Sequence, residues 1–218
     1  MKKWIGFTAV FAILLTASAS QAILISTAPV DLWDVIPGAS GYPDLVYCQY
    51  YNASAGTYND LSNSGTMWQT YLTGSVPQIQ KMAEIDGDVR VKPAGVSYGD
   101  GDLRPVIKVG LEGSGTVNIT GSVYANPSNG TGTATASFSI FKNNLNNLVW
   151  TSSASATAVT FDAQTAFVAG DNLLLVTSIS DLSGGVYGHW FDVQFTQIPE
   201  PVTVVLLALG SLMFRKRK

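Results

Sequence analysis

Apolar and polar residues alternate strictly along one stretch of the chain. Val117, Ile119, Gly121 and Val123 fall on one side, and Thr116, Asn118, Thr120 and Ser122 on the other. A period of two is the geometry of a β-strand with one face in a core and one in water. The same alternation runs through 134–141, where Ala134, Ala136, Phe138 and Ile140 oppose Thr133, Thr135, Ser137 and Ser139. Shorter apolar segments at 89–91, 106–109, 148–151, 158–161, 173–179 and 187–195 predict further strands. Between them lie turn clusters at short, even spacing: 126–130 (Asn-Pro-Ser-Asn-Gly), 142–147 (Lys-Asn-Asn-Leu-Asn-Asn), 169–172 (Ala-Gly-Asp-Asn) and 183–185 (Ser-Gly-Gly). Repeated short strands with that punctuation, and no amphipathic run of helical length in the body, predict an all-β fold, an antiparallel β-sandwich.

The pattern is looser from Ile23 to about Pro77. Prolines, glycines and a stretch of Asn, Ser, Gly and Thr from Asn52 to Thr66 predict mostly loop. Two short aromatic-rich strands, 45–51 and 67–72, interrupt it.

The two ends follow a different logic. Residues 1–22 combine Lys2 and Lys3, an apolar stretch from Trp4 to Leu15, and small residues ending Ser20-Gln21-Ala22. That arrangement predicts a secretory signal peptide cut by signal peptidase after Ala22, with the bond after Ala19 as the alternative. At the other end, Pro199-Glu200-Pro201 stops any incoming element, since each proline lacks an amide donor and fixes its own backbone angle. Apolar residues 202–214 follow, then Arg215-Lys216-Arg217-Lys218. Thirteen residues make a helix of about 20 Å, short of a hydrocarbon layer of roughly 30 Å. Such a helix can serve as an anchor if the bilayer thins or the basic tail snorkels to the headgroups. The basic cluster predicts a cytoplasmic terminus and places the body on the far side of the membrane.

This ending, Pro199-Glu200-Pro201 with its apolar segment and basic cluster, resembles the PEP-CTERM sorting signal of Gram-negative bacteria. The resemblance covers about the last 20 residues. It implies recognition and removal of the tail by an exosortase, in an organism that makes extracellular polysaccharide. The chain then divides into a signal peptide (1–22), a β-sandwich domain (23–197, with 23–77 its loop-rich first part) and a sorting signal (198–218) containing a membrane helix at 202–214. The protein is expected to be anchored in the inner membrane before processing, and at the cell surface or in the extracellular matrix afterwards.

A second resemblance lies in the body. Ser139-Ile140-Phe141-Lys142-Asn143-Asn144, Leu148-Val149-Trp150 and Val168-Ala169-Gly170-Asp171-Asn172-Leu173 look like the second half of jelly-roll modules on exported bacterial proteins. It covers about 80 residues and implies a jelly-roll-like, non-catalytic module of a kind that in some cases binds carbohydrate.

Composition sharpens these expectations. With 46% hydrophobic and 12% charged residues, the chain can form a packed core. Between Ile23 and Gln197, six basic residues stand against fourteen acidic ones, a net of −8 that repels nucleic acid and anionic lipid. Cys48 and His189 are the only residues of their kinds, which excludes an intrachain disulfide and a zinc site of Cys and His ligands. Cys48 can be buried and inert or can pair between chains.

His189 shares strand parity with Phe191, Val193 and Phe195, which favours a structural role over a catalytic one, and no Gly-x-Ser-x-Gly elbow accompanies it. Asp86-Gly87-Asp88 and Asp100-Gly101-Asp102 offer paired carboxylates on glycine turns, where calcium could bind, although Asp-Gly is also a common hairpin signal. The same four aspartates are the acids a small polysaccharide hydrolase would use, the competing reading. A third reading is a coat protein without a ligand. Sugar-binding modules stack aromatic rings on pyranose faces. Trp150 and Trp190 lie on apolar-patterned strands and are expected in the core; among the other rings, which include Trp33, Tyr47, Tyr58, Tyr71, Tyr98 and Tyr124, the region of Tyr50, Tyr51 and Trp68 is the better candidate polysaccharide-binding surface.

Overall fold

The computed structural model describes residues 29–35, 46–63, 67–69, 77–81, 89–92, 103–125, 136–154, 157–179 and 189–198. The described chain is almost entirely strand, in two antiparallel sheets. The eight-stranded sheet runs in the order β12 (Val159–Phe167), β9 (Gly115–Ala125), β14 (His189–Ile198), β7 (Val89–Lys92), β6 (Gln78–Lys81), β5 (Met67–Gln69) and β4 (Ser62–Asn63). Its eighth strand, β1 (Val30–Asp31), pairs with β14. The six-stranded sheet runs β11 (Leu148–Ala154), β10 (Ala136–Lys142), β13 (Asn172–Ile179), β8 (Leu103–Gly110), β2 (Val46–Asn52) and β3 (Thr57–Asp60). From β8 onward, every chain connection except β10 to β11 passes from one sheet to the other. This is the antiparallel sandwich that the alternating pattern predicts.

Register shows why the alternation matters. Across the six-stranded sheet, Cys48, Ile107, Leu175, Ile140 and Trp150 stand side by side on the inner face. Across the other sheet, Phe195 and Ala163 flank Ile119. These rows meet in one core containing Phe138, Phe195, Ile119, Ile140 and Leu173, all fully buried. A fully buried side chain of this size contributes about 1.5–3 kcal/mol relative to exposure. The polar side of β9 faces outward, with Thr120 between Asp162 and Gln194.

Trp150 joins the core, as its strand pattern predicts. Its ring lies 4.5 Å from that of Phe161 and 6.0 Å from that of Phe138. Trp150 sits on the edge strand of one sheet and Phe161 on the edge strand of the other, so the aromatic contact closes that side of the sandwich. A short helix, α1 (Leu32–Val35), packs beside β14 and buries Leu32 completely. Cys48 is buried and free.

The loop-rich first part contains more strand than its composition suggests. Thr57–Asp60, inside the stretch read as loop, is β3, the edge partner of β2. Asn52 builds the turn that makes this pairing possible: its Oδ1 accepts from the amides of Ser54 and Ala55, both at 3.0 Å. Gly56 closes the turn at φ 67, a conformation that glycine adopts without a Cβ penalty. Strands β1, β4 and β6 are likewise absent from the period-2 reading. They are two to four residues long, too short for periodicity to register.

Candidate functional site

Burial on the outer face of the six-stranded sheet departs from simple alternation. Val106, Leu174 and Val176 point away from the main core yet are buried, forming a second apolar cluster. Tyr51, Phe141 and Leu145 pack against it. The middle of this face is therefore an apolar floor closed by large side chains, and chemistry is confined to its margins.

At one margin lie β2 and β3. Alternation along β2 sends Val46, Cys48 and Tyr50 inward and Tyr47, Gln49 and Tyr51 outward. Tyr50 and Tyr51, paired as candidates on sequence, thus occupy opposite faces. Tyr50 packs against the main core, because adjacent strand residues cannot share a face. Tyr51 is joined instead by Tyr58 from β3, directly opposite it in register. Their ring centroids are 5.0 Å apart with planes tilted by 49°. Tyr47 and Tyr58 are 40% and 39% exposed, enough for each ring to present a face or edge to a ligand. Burial, then the neighbouring Tyr51, raises the Tyr58 phenol above its ordinary value of 10.0 and keeps it a neutral donor and acceptor.

Polar groups flank the rings. Gln49 Nε2 donates to Asp60 Oδ1 at 2.7 Å across β2 and β3. Lys108 stands opposite Tyr47 on β8, its Nζ 5.3 Å from the ring centroid. Arg104 stands opposite Tyr51. The far side of the face carries hydroxyls: Ser137 with Ser178 and Ser139 with Thr151, each pair at 2.7 Å. On sequence Tyr58 and Tyr47 are two rings among many, with nothing to rank them above Tyr50 or Trp68. Tyr58 falls in a segment rich in turn formers, and only strand pairing shows its ring beside Tyr51.

Trp68, the third aromatic candidate, lies on β5 of the other sheet, in register with Ile79 of β6. It does not share a sheet with Tyr51. Asp86, Asp88, Asp100 and Asp102 lie outside the described residues, as do Ala22, Pro199, Glu200, Pro201 and the apolar segment 202–214. Among the described residues, no three His, Cys, Asp or Glu side chains come together as metal ligands, and no helix is long and apolar enough to cross a membrane. His189 opens β14, in register with Val91 and Ala125.

The residues carrying the jelly-roll resemblance form a clamp at one end of the sandwich. Asn143, at φ 65, donates from Nδ2 to Asp171 Oδ1 at 2.8 Å and accepts at Oδ1 from the Asn172 amide at 2.7 Å. Asp171 Oδ2 accepts from the Val168 amide at 3.0 Å and meets Lys142 Nζ at 3.1 Å. The Asp171 carbonyl accepts from Leu111 N at 2.8 Å. Three turns are thereby joined through one carboxylate residue. The Asn143 hydrogen bond, helped by the Val168 amide and Lys142, holds the Asp171 carboxyl below its ordinary value.

No family model matches the chain, and no curated protein matches it. Among solved structures, it is similar to the CBM22-1 xylan-binding domain from Paenibacillus barcinonensis Xyn10C, at 14% identity over 74% of this chain and 100% of that one, with a TM-score of 0.38. It is also similar to the N-terminal cellulose-binding domain from Cellulomonas fimi β-1,4-glucanase C, at 13% identity over 78% and 95%, with a TM-score of 0.39. A third likeness is to pika GITRL, at 14% identity over 72% and 99%, with a TM-score of 0.31. Likenesses this distant carry no argument about function; the class of the fold rests on the strand pairing itself.

Proposed function

We propose that this is a non-catalytic, exported surface protein that binds polysaccharide through the tyrosine-lined margin formed by β2 and β3. The observation that supports this most is the grouping of Tyr47, Tyr51 and Tyr58 on one outer face beside Gln49, Asp60, Arg104 and Lys108. Flat rings with polar tips next to fixed amide and carboxylate groups suit a pyranose, which offers an apolar ring face and a hydroxyl rim. The rigid sheet holds these groups in place, so little ordering accompanies binding.

The sequence of the two ends supports the rest of the proposal. Signal peptidase would release residues 1–22 after Ala22, and the tail with Pro199-Glu200-Pro201 would hold the protein at the inner membrane until an exosortase-type enzyme removes it. The partners are then the two processing enzymes, the membrane, and extracellular polysaccharide.

The test is a glycan array probed with the full chain, once with calcium and once with chelator. Saturable binding, weakened about tenfold by Tyr58→Ala with the fold retained, is the expected result; tenfold corresponds to about 1.4 kcal/mol, the scale of truncating an aromatic contact residue. Loss of binding in chelator would point to calcium held by Asp86, Asp88, Asp100 or Asp102. Absence of binding under both conditions would overturn the proposal in favour of a coat protein without a glycan ligand.

A further inference from the structure

The cations of the same margin narrow the class of ligand, an inference that rests on the polysaccharide-binding proposal. The body between Ile23 and Gln197 has only six basic residues. Two of them, Arg104 and Lys108, stand beside the tyrosines on the outer face of β8. Lys142, by contrast, is engaged with Asp171 and with the Ala166 carbonyl at the clamp.

Lys108 is held over the Tyr47 ring by cation–π attraction, and among the described residues it forms no ion pair. The ring positions the ammonium and is itself partly covered by it. Stacking therefore falls to Tyr58 and Tyr51, and Tyr47 acts through the cation. The nearby carboxylate of Asp60 lies on β3, across β2 from Lys108, and accepts from Gln49. Arg104 presents five donors in a planar fork, so a contact within the protein leaves donors for a ligand carboxylate.

We infer that the margin takes an acidic polysaccharide whose sugars carry carboxylates, a polyuronate. Arg104 and Lys108 are four residues apart on one face of a strand, about 13 Å, which is farther than one sugar ring reaches. Two carboxylates on separate sugars of one polymer reach both cations, while the sugars between them pass over Gln49 and Val106, which register places between the two, and the polymer meets the Tyr51 and Tyr58 rings beside Arg104. The acidic remainder of the body does not forbid this. At physiological ionic strength charges beyond about 8 Å are largely screened, whereas the two contact cations act directly.

The experiment is affinity electrophoresis of the full chain in gels containing polygalacturonate, its methyl ester, or neutral xylan. Esterification removes the charge and keeps the rings. Retardation by polygalacturonate at least tenfold stronger than by the ester, weakened about tenfold by Lys108→Gln and retained by Lys108→Arg, is expected. Equal retardation by acid and ester, insensitive to Lys108→Gln but lost with Tyr58→Ala, would overturn the inference and leave the polysaccharide proposal standing. Retardation that neither variant changes would overturn both, and none by any of the three polymers would overturn the inference while the glycan array decides the broader proposal.

Discussion

Gly121 lies on the inward side of β9, opposite Val193 and Phe161. The Cβ of any other residue there would meet the Asp192 carbonyl oxygen and sit 3.1 Å from Phe161 Cζ. The backbone of β14 thus takes the space a Cβ would fill, with the Phe161 ring close beside it. Gly121→Ala is expected to destabilise the protein by about 2 kcal/mol, visible as a lower urea midpoint with unchanged slope. Cys48 is the complementary case, a reactive side chain silenced by its surroundings. Burial pushes its thiol far above the ordinary value of 9.0, so it remains protonated and without a path to reagent. A disulfide reagent at pH 8 should leave Cys48 unmodified in the folded protein and modify it fully in denaturant. Fast labelling of the native chain would contradict the inward register of β2.

The clamp at the end of the sandwich acts on elements rather than on a single side chain. Asp171 ties the β12–β13 turn to the β10–β11 turn through Asn143 and Lys142, and to the segment after β8 through Leu111. Its carboxyl titrates below 3.8 in the folded chain, so the unfolded chain binds the proton more readily. The carboxylate therefore contributes stability at all pH values above about 4, and that contribution disappears as pH falls through the lower folded value. Asp171→Asn should lower the thermal midpoint at pH 7, and the gap from wild type should narrow progressively as pH falls below 3.8. On sequence the side chains of this clamp read as turn formers and as carriers of the jelly-roll resemblance, not as partners of one another. Nothing in the spacing of Lys142, Asn143 and Asp171 shows that turns 28 residues apart would meet, because that meeting depends on β10 and β13 pairing side by side.

For the whole molecule, the two ends and the sandwich make separate predictions. In a bacterial host with a secretory pathway, the exported form should begin at Ile23, as read by N-terminal sequencing; a chain retaining Met1 would argue against cleavage of residues 1–22. Removal of the tail should be lost when Glu200 is replaced by alanine, read as a persistent higher-mass, membrane-bound form. The class of fold is already written in the order of residues, because strand alternation is a local property: a residue and its neighbour two positions away share a face wherever the strand lies. The same alternation puts Phe138, Ile140, Val193 and Phe195 in the core and the polar side of β9 toward water. Which outward residues stand together depends instead on how the strands pair. Tyr51 and Tyr58 meet because β2 and β3 pair, Tyr47 and Lys108 because β2 and β8 pair, and Tyr50 turns into the core while its neighbour turns out. Those adjacencies depend on strand order and register, which hydrogen bonding between distant segments sets and no single segment encodes.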